Sequence, residues 1–222
     1  MDAIVPAAGM ATRMRGIPKF LLPCDATYNT LIESHISALL ENCDTVWIPT
    51  RPELVLLLDS LGLAKDRVVI LPMTTENMTQ TVSKVLQIAK TDNFHLVMPD
   101  TFFHGEKPYS TLSKNPALVD LACWKIRNDQ KGKLGQVLIE NSRAVDIRDK
   151  DPNCDYEHSW GALTFHRELM NYARNDDPHI GYAVRNALLS NENISSHIID
   201  GKYFDCGTPR EYLNMLQEVI HL

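Results

Sequence analysis

Residues 4–23 read IVPAAGMATRMRGIPKFLLP. The segment begins as a buried strand and passes directly into a loop of small residues, Ala7, Ala8, Gly9 and Ala11, followed by Arg13, Pro18 and Lys19. Short side chains let backbone N–H groups approach a ligand closely, and Arg13 and Lys19 add two positive charges, with Pro18 stiffening the approach to Lys19. That is the chemistry of an anion site, a polyphosphate above all. The loop is neither a dinucleotide G-x-G-x-x-G nor a Walker A loop, whose Lys precedes Ser or Thr. Taken alone, it reads equally well as a surface turn with solvated charges, so its meaning depends on what surrounds it.

The surroundings are those of a parallel sheet. AIVP (3–6), TVWIP (45–49), RVVIL (67–71) and FHLVM (94–98) are short, near-continuous apolar runs, the pattern of strands buried on both faces. Between the first two, Leu31, Ile32, His35, Ile36, Leu39 and Leu40 recur at helical spacing, and Thr30 with Glu33 forms a capping box. ELVLLLDSL (53–61) and TQTVSKVLQIAK (79–90) supply the next crossovers, which predicts a right-handed, doubly wound α/β sheet. Ligands in such sheets collect at the carboxyl ends of the strands, where the loop after Pro6 lies.

The later part is mixed. Runs at 117–126, 135–140, 143–149 and 160–166 read as strands of a smaller, partly antiparallel region. Helices are expected near 167–174 and 179–190, then a strand at about 195–204. Thr208, Pro209 and Glu211 mark the start of a last helix. No repeat or linker divides the 222 residues, so one domain is expected, with a nucleotide-binding half over about 1–115 and an acceptor-binding half over about 116–222.

Composition narrows the function. The net charge of −6 disfavours a general nucleic-acid binder while allowing a local basic site. The five cysteines are scattered without a C-x-x-C pair, which speaks against a zinc site or disulfide framework and for a reducing compartment. With neither a leader pattern nor a run long enough to span a bilayer, the expected location is cytoplasmic, with no membrane partner. Asp100 ends the apolar run LVMPD, and Asp205 lies just before the last helix. Each alone reads as a cap or turn residue. Converging beside a phosphate site, they would repel by roughly 4 kcal/mol at about 4 Å, a cost that a divalent cation removes. Magnesium characteristically takes one or two carboxylates plus substrate phosphates.

These segments together resemble the sugar-phosphate nucleotidyltransferases, the pyrophosphorylases that make NDP-sugars on a Rossmann-like fold. AAGMATRMRGIPKFLLP is similar to that family's A-A-G-x-G-T-R-[LM]-x(n)-P-K-x-L-x-P. NMTQT (77–81), LVMPDTFF, IRDKDP, WGALTF and FDCGTPREYL resemble its further segments in chain order. The resemblance implies that Gly9, Arg13 and Lys19 hold a triphosphate, with backbone contacts from Ala8 and Met10. It implies further that Gln80 reads the base, that Asp100 and Asp205 hold Mg²⁺, and that Lys150 and Gly161 face the phosphorylated acceptor. Arg13, Lys19 and Asp100 would then be the catalytic set. Because the amide of Gln80 can pair with a pyrimidine edge, UTP, dTTP or CTP are expected ahead of purines. A homo-oligomer is left open. The chain departs from the family pattern at Ala11, Asn77, Pro99 and Asp151.

The implied reaction moves an NMP from an NTP to a phosphorylated acceptor, a sugar 1-phosphate first, and releases pyrophosphate. Three alternatives stand beside it. One is a cytidylyltransferase for a non-sugar alcohol phosphate. Another is an NDP-sugar-dependent glycosyltransferase, since Asp149-Lys150-Asp151 formally matches D-x-D. The third is a catalytically silent nucleotide-binding homologue.

Overall fold

The computed structural model describes residues 1–10 and 14–220. Strands β1 (Asp2–Ile4), β2 (Val46–Thr50), β3 (Val68–Pro72) and β4 (Asn93–Val97) lie parallel in the order β3-β2-β1-β4. Their crossovers contain α1 (Leu31–Leu40), α2 (Val55–Asp59) and α3 (Met78–Leu86). The capping box at α1 is formed: Glu33 N–H donates to Thr30 Oγ1 at 3.3 Å and Thr30 N–H to Glu33 Oε2 at 2.9 Å, an arrangement typically worth about 1 kcal/mol. The second crossover holds less helix than its apolar run suggests, because a 3₁₀ turn at Pro52–Leu54 precedes α2 and Leu56 and Leu57 face solvent.

The sheet continues into the second half of the chain. Strands β6 (Val119–Lys125), β7 (Gly135–Glu140), β8 (Arg143–Asp149), β9 (His158–His166) and β10 (Ile194–Ile198) extend the order as β4-β9-β6-β10-β8-β7. β9 runs antiparallel to both β4 and β6, so it joins the two halves edge to edge. The residues between β7 and β8, Asn141 and Ser142, have φ of 50° and 60°, the two-residue turn that suits a twisted hairpin. Residues 167–172 form a 3₁₀ helix where an α-helix was expected, and α4 (Gly181–Leu189) follows.

The run expected as one strand near 195–204 is two. Gly201 has φ +115°, and a Cβ there would fall 2.2 Å from the His104 carbonyl oxygen, so the chain turns after β10. The second piece, β11 (Gly201–Asp205), leaves the main sheet and pairs antiparallel with β5 (Thr101–Gly105), a strand that the sequence reading did not anticipate. Helix α5 (Pro209–Val219) begins at Thr208, whose Oγ1 accepts from Glu211 N–H at 3.3 Å.

Alternate residues of the central strands enter different cores, Ala3 and Val5 with Ile32, Leu39 and Ile48 on one face, Ile4 with Val82, Phe94 and Phe165 on the other. His35 of α1 is buried among them, and burial pushes its pKa down to about 4. Its Nε2–H donates to the Thr101 carbonyl at 2.8 Å, so Nδ1 is the acceptor for the Tyr109 hydroxyl at 2.7 Å. The helix that follows the first loop is thereby tied to the strand that follows Asp100. Among the described residues no helix is long and apolar enough to cross a membrane.

Candidate active site

Three connected hollows open at the carboxyl ends of β1 and β4. The first, of about 250 Å³, is lined by Ala8, Gly9, Met10 and the segment 75–78. The second, about 100 Å³, lies over Pro18, Lys19 and Asp100 and shares Pro6, Gly9 and Met98 with the first. The third, about 170 Å³, shares Met98 and Asp100 with the second and runs toward Asp149, Lys150 and Gly161. Asp100 therefore stands where the second and third hollows meet. Arg13 lies outside the described residues, as does Ala11.

At this meeting point Lys19 Nζ donates to Asp100 Oδ2 at 2.9 Å, with the side chains 11% and 22% exposed. Neither charge has full access to water, so the pair is screened less than a surface bridge. Asp205 is brought into the same hollow by the β5–β11 pairing, in which Asp205 opposes Thr101 and Cys206 N–H donates to the Asp100 carbonyl at 2.9 Å. Asp205 Oδ1 accepts from Gly207 N–H at 2.9 Å. Both carboxylates are felt by their neighbour: burial first, then the Asp100 and Asp205 charges, push the Cys206 thiol up. Asp100, just before β5, and Asp205, at the end of β11, open to one hollow, and carboxylates so placed could serve a hard divalent cation.

In the first hollow, a Cβ built at Gly9 meets no atom of the described residues within 4 Å. No described residue requires a glycine there. Asn77, where the family pattern has glycine, serves as a helix cap: its φ is −150°, and its Oδ1 accepts from Gln80 N–H at 2.9 Å. Gln80 is paired with Glu76. Its Nε2–H donates to Glu76 Oε2 at 3.1 Å and its Oε1 accepts from Glu76 N–H at 3.2 Å, whereas Glu76 itself is a lining residue.

The third hollow is lined by Lys150 and Gly161 and by residues that the sequence reading did not single out, Lys133, Trp160, His179 and Tyr203. Lys150 adopts φ +50°, uncommon for a residue with a side chain, and its N–H is held by the Leu134 carbonyl at 3.1 Å. Gly161 falls at a bulge, where β6 pairs Ala122 with Ala162 and then Cys123 with Trp160. Its missing Cβ makes room for protein, since that atom would lie 2.5 Å from the Tyr203 ring and 3.0 Å from Trp124. Asp149 Oδ2 and His179 Nε2 are 3.1 Å apart. Burial alone would raise the Asp149 carboxyl, but the hydrogen bond from His179 and the His179 and Lys150 charges hold it below its usual value. His179 carried no signal in the sequence because only tertiary folding brings the start of α4 to the end of β8.

A family model described as the MobA-like NTP transferase domain matches residues 3–146. No curated protein matches the sequence. Among solved structures, a Bacillus anthracis protein described as a glucose-1-phosphate thymidylyltransferase, in complex with sucrose, superposes with a TM-score of 0.82 at 15% identity, covering 100% of this chain and 96% of that one. The inositol-1-phosphate CTP transferase from T. maritima gives 0.79 at 16% identity over 99% and 97% of the two chains. A UDP-glucose pyrophosphorylase complexed with UDP-glucose gives 0.77 at 17%, over 98% and 97%. At these identities the likeness concerns the fold: a mixed α/β sheet, mostly parallel at one end and antiparallel at the other.

Proposed function

This chain belongs to the MobA-like NTP transferase family, and from that premise we propose that it transfers an NMP from an NTP to a phosphorylated small-molecule acceptor, a sugar 1-phosphate first, releasing pyrophosphate. The observation that carries the reading is the position of Asp100, which lines both the hollow over Lys19 and the hollow that runs to Lys150. A phosphorus atom passing from one ligand to the other would travel past that carboxylate.

The attacking group is a phosphate-monoester oxygen, already anionic near neutral pH, so alignment and charge neutralisation carry the reaction rather than a general base. The open space at Gly9 admits the triphosphate against backbone N–H groups, and Lys19 supplies positive charge beside it. Asp100 and Asp205 would hold Mg²⁺, which when bound neutralises and templates the phosphates. Lys150 and Lys133 edge the opposite hollow, where they would orient the acceptor phosphate. The Asp149–His179 pair beside the Trp160 ring suits a ring bearing hydroxyl groups, since the carboxylate accepts hydrogen bonds while an aromatic face covers apolar C–H surface.

The test is pyrophosphate release from each NTP with Mg²⁺ and a panel of glucose 1-phosphate, galactose 1-phosphate, inositol 1-phosphate and phosphocholine. Release that needs both NTP and acceptor, strongest with a sugar phosphate and lost in EDTA, is expected. Release with no acceptor in the panel, or glycosyl transfer from an NDP-sugar instead, would overturn the proposal.

A further inference from the structure

We infer that His35 is a positioning residue for Asp100: through the Thr101 carbonyl it sets where that carboxylate stands between the second and third hollows. The inference rests on the role given to Asp100 in the proposed function. β4 ends at Val97 and β5 begins at Thr101, so Asp100 stands on the short turn between them. Pro99 fixes one φ of this turn and brings no N–H to it. Three hydrogen bonds hold the turn by its carbonyls. Thr101 Oγ1 donates to the carbonyl of Met98, a residue that lines all three hollows, at 2.8 Å. Cys206 N–H, just after β11, donates to the Asp100 carbonyl at 2.9 Å. His35 Nε2–H donates to the Thr101 carbonyl at 2.8 Å, and Nε2 lies 3.3 Å from Thr101 Oγ1. The first bond is internal to the turn. The third reaches across from α1, whose Ile32, Ile36 and Leu39 are packed in the core, and so ties the turn to the body of the domain.

The protons of this relay run in one direction. His35, Thr101 and Tyr109 are 3%, 1% and 1% exposed, and burial keeps the imidazole neutral near pH 7. A neutral ring has one N–H and one acceptor nitrogen, and a carbonyl only accepts. The proton is therefore on Nε2, and the Tyr109 hydroxyl donates to Nδ1 at 2.7 Å. Tyr109 thereby fixes the tautomer that Thr101 requires. With the proton on Nδ1 instead, a lone pair would face the Thr101 carbonyl, acceptor against acceptor. Packing alone does not call for such a ring, since an apolar side chain of similar size would fill the place without polar atoms to satisfy. What the imidazole adds is direction: it holds one carbonyl at hydrogen-bond length, one residue from Asp100. A shift there would carry the carboxylate, and the Lys19 Nζ bonded to it at 2.9 Å, out of line with the phosphates. A misplacement of about 1 Å can cost on the order of a hundredfold in rate.

Steady-state kinetics and melting curves of His35→Leu, His35→Gln and Tyr109→Phe test the inference. Leucine fills the space without a donor, so kcat should fall about tenfold or more while both KM values stay within about twofold. Glutamine can donate its amide N–H to Thr101 and accept from Tyr109 through its oxygen. It should restore kcat to within about threefold of wild type, even where the melting temperature stays low. Tyr109→Phe, which releases the tautomer, should lower kcat by about threefold. A merely structural histidine would lower the melting temperature and leave kcat of the folded enzyme unchanged throughout. That result would overturn the inference, as would a glutamine variant no faster than the leucine one. Should His35→Leu fail to fold, Tyr109→Phe decides, and an unchanged kcat there overturns the inference. Should the wild type release no pyrophosphate, the proposed function falls, and crystal structures decide the positioning role by themselves. Asp100 displaced by about 1 Å in either apolar variant would keep that role, and an unmoved Asp100 would remove it.

Discussion

Gly9 and Gly161 lie on the two sides of Asp100 and are glycines for opposite reasons. Among the described residues a Cβ at Gly9 meets nothing within 4 Å, while one at Gly161 would run into Tyr203 at 2.5 Å. The ring at Gly161 has nowhere to go: Tyr203 stacks on Trp124 at 5.4 Å between centroids, and Trp124 on Phe103 at 4.8 Å. At Gly9 the backbone borders the first hollow, and no described residue fills the space beside it. At Gly161 the protein fills the space itself, with fixed rings and a strand bulge, and the Asp149–His179 pair lines the same hollow.

The largest effect is expected at the junction. Asp100→Asn and Asp205→Asn keep the shape of each side chain but remove charge that a hard cation needs, so steady-state turnover should fall about a hundredfold or more. Because Asp100 serves both sides, a loss confined to one substrate's KM would break the comparison. Next come the glycines. Gly161→Ala should cost about 2 kcal/mol through overpacking and lower the melting temperature by roughly 6 °C. Gly9→Ala should melt with the wild type yet lose about tenfold in kcat/KM for the NTP, since the new methyl stands where phosphate would approach backbone N–H. Destabilisation by the methyl at Gly9, or none at Gly161, would show that the two sides are not built differently. The smallest effect belongs to Lys150→Ala, which should raise the acceptor KM by about fivefold and barely move the NTP KM. A rise in the NTP constant instead would reverse the orientation of the cleft.

Much of this architecture is legible along the chain because its causes are local. Short apolar runs rich in β-branched residues suit strands buried on both faces, and the Thr30–Glu33 and Thr208–Glu211 caps are satisfied within one helical turn. Lys19 and Asp100 were also within reach, since strand ends in a parallel sheet point to one edge. Gln80 shows the limit. Its amide chemistry suggests base pairing, and only the structure adds that Glu76, just before the N-cap of α3, exchanges hydrogen bonds with that amide.

What the sequence by itself determined is therefore the parallel half: its strands, its capped crossovers and the cationic loop after β1. Each follows from periodicity and caps that act over a few residues. Only the tertiary structure decided that β5 and β11, a hundred residues apart in the chain, pair so as to bring Asp205 into the hollow with Asp100. It also decided that His179 reaches Asp149 and that Gly161 answers to Tyr203 rather than to space. The physical reason is that these contacts satisfy polar groups and fill volume between segments whose own patterns carry no trace of each other.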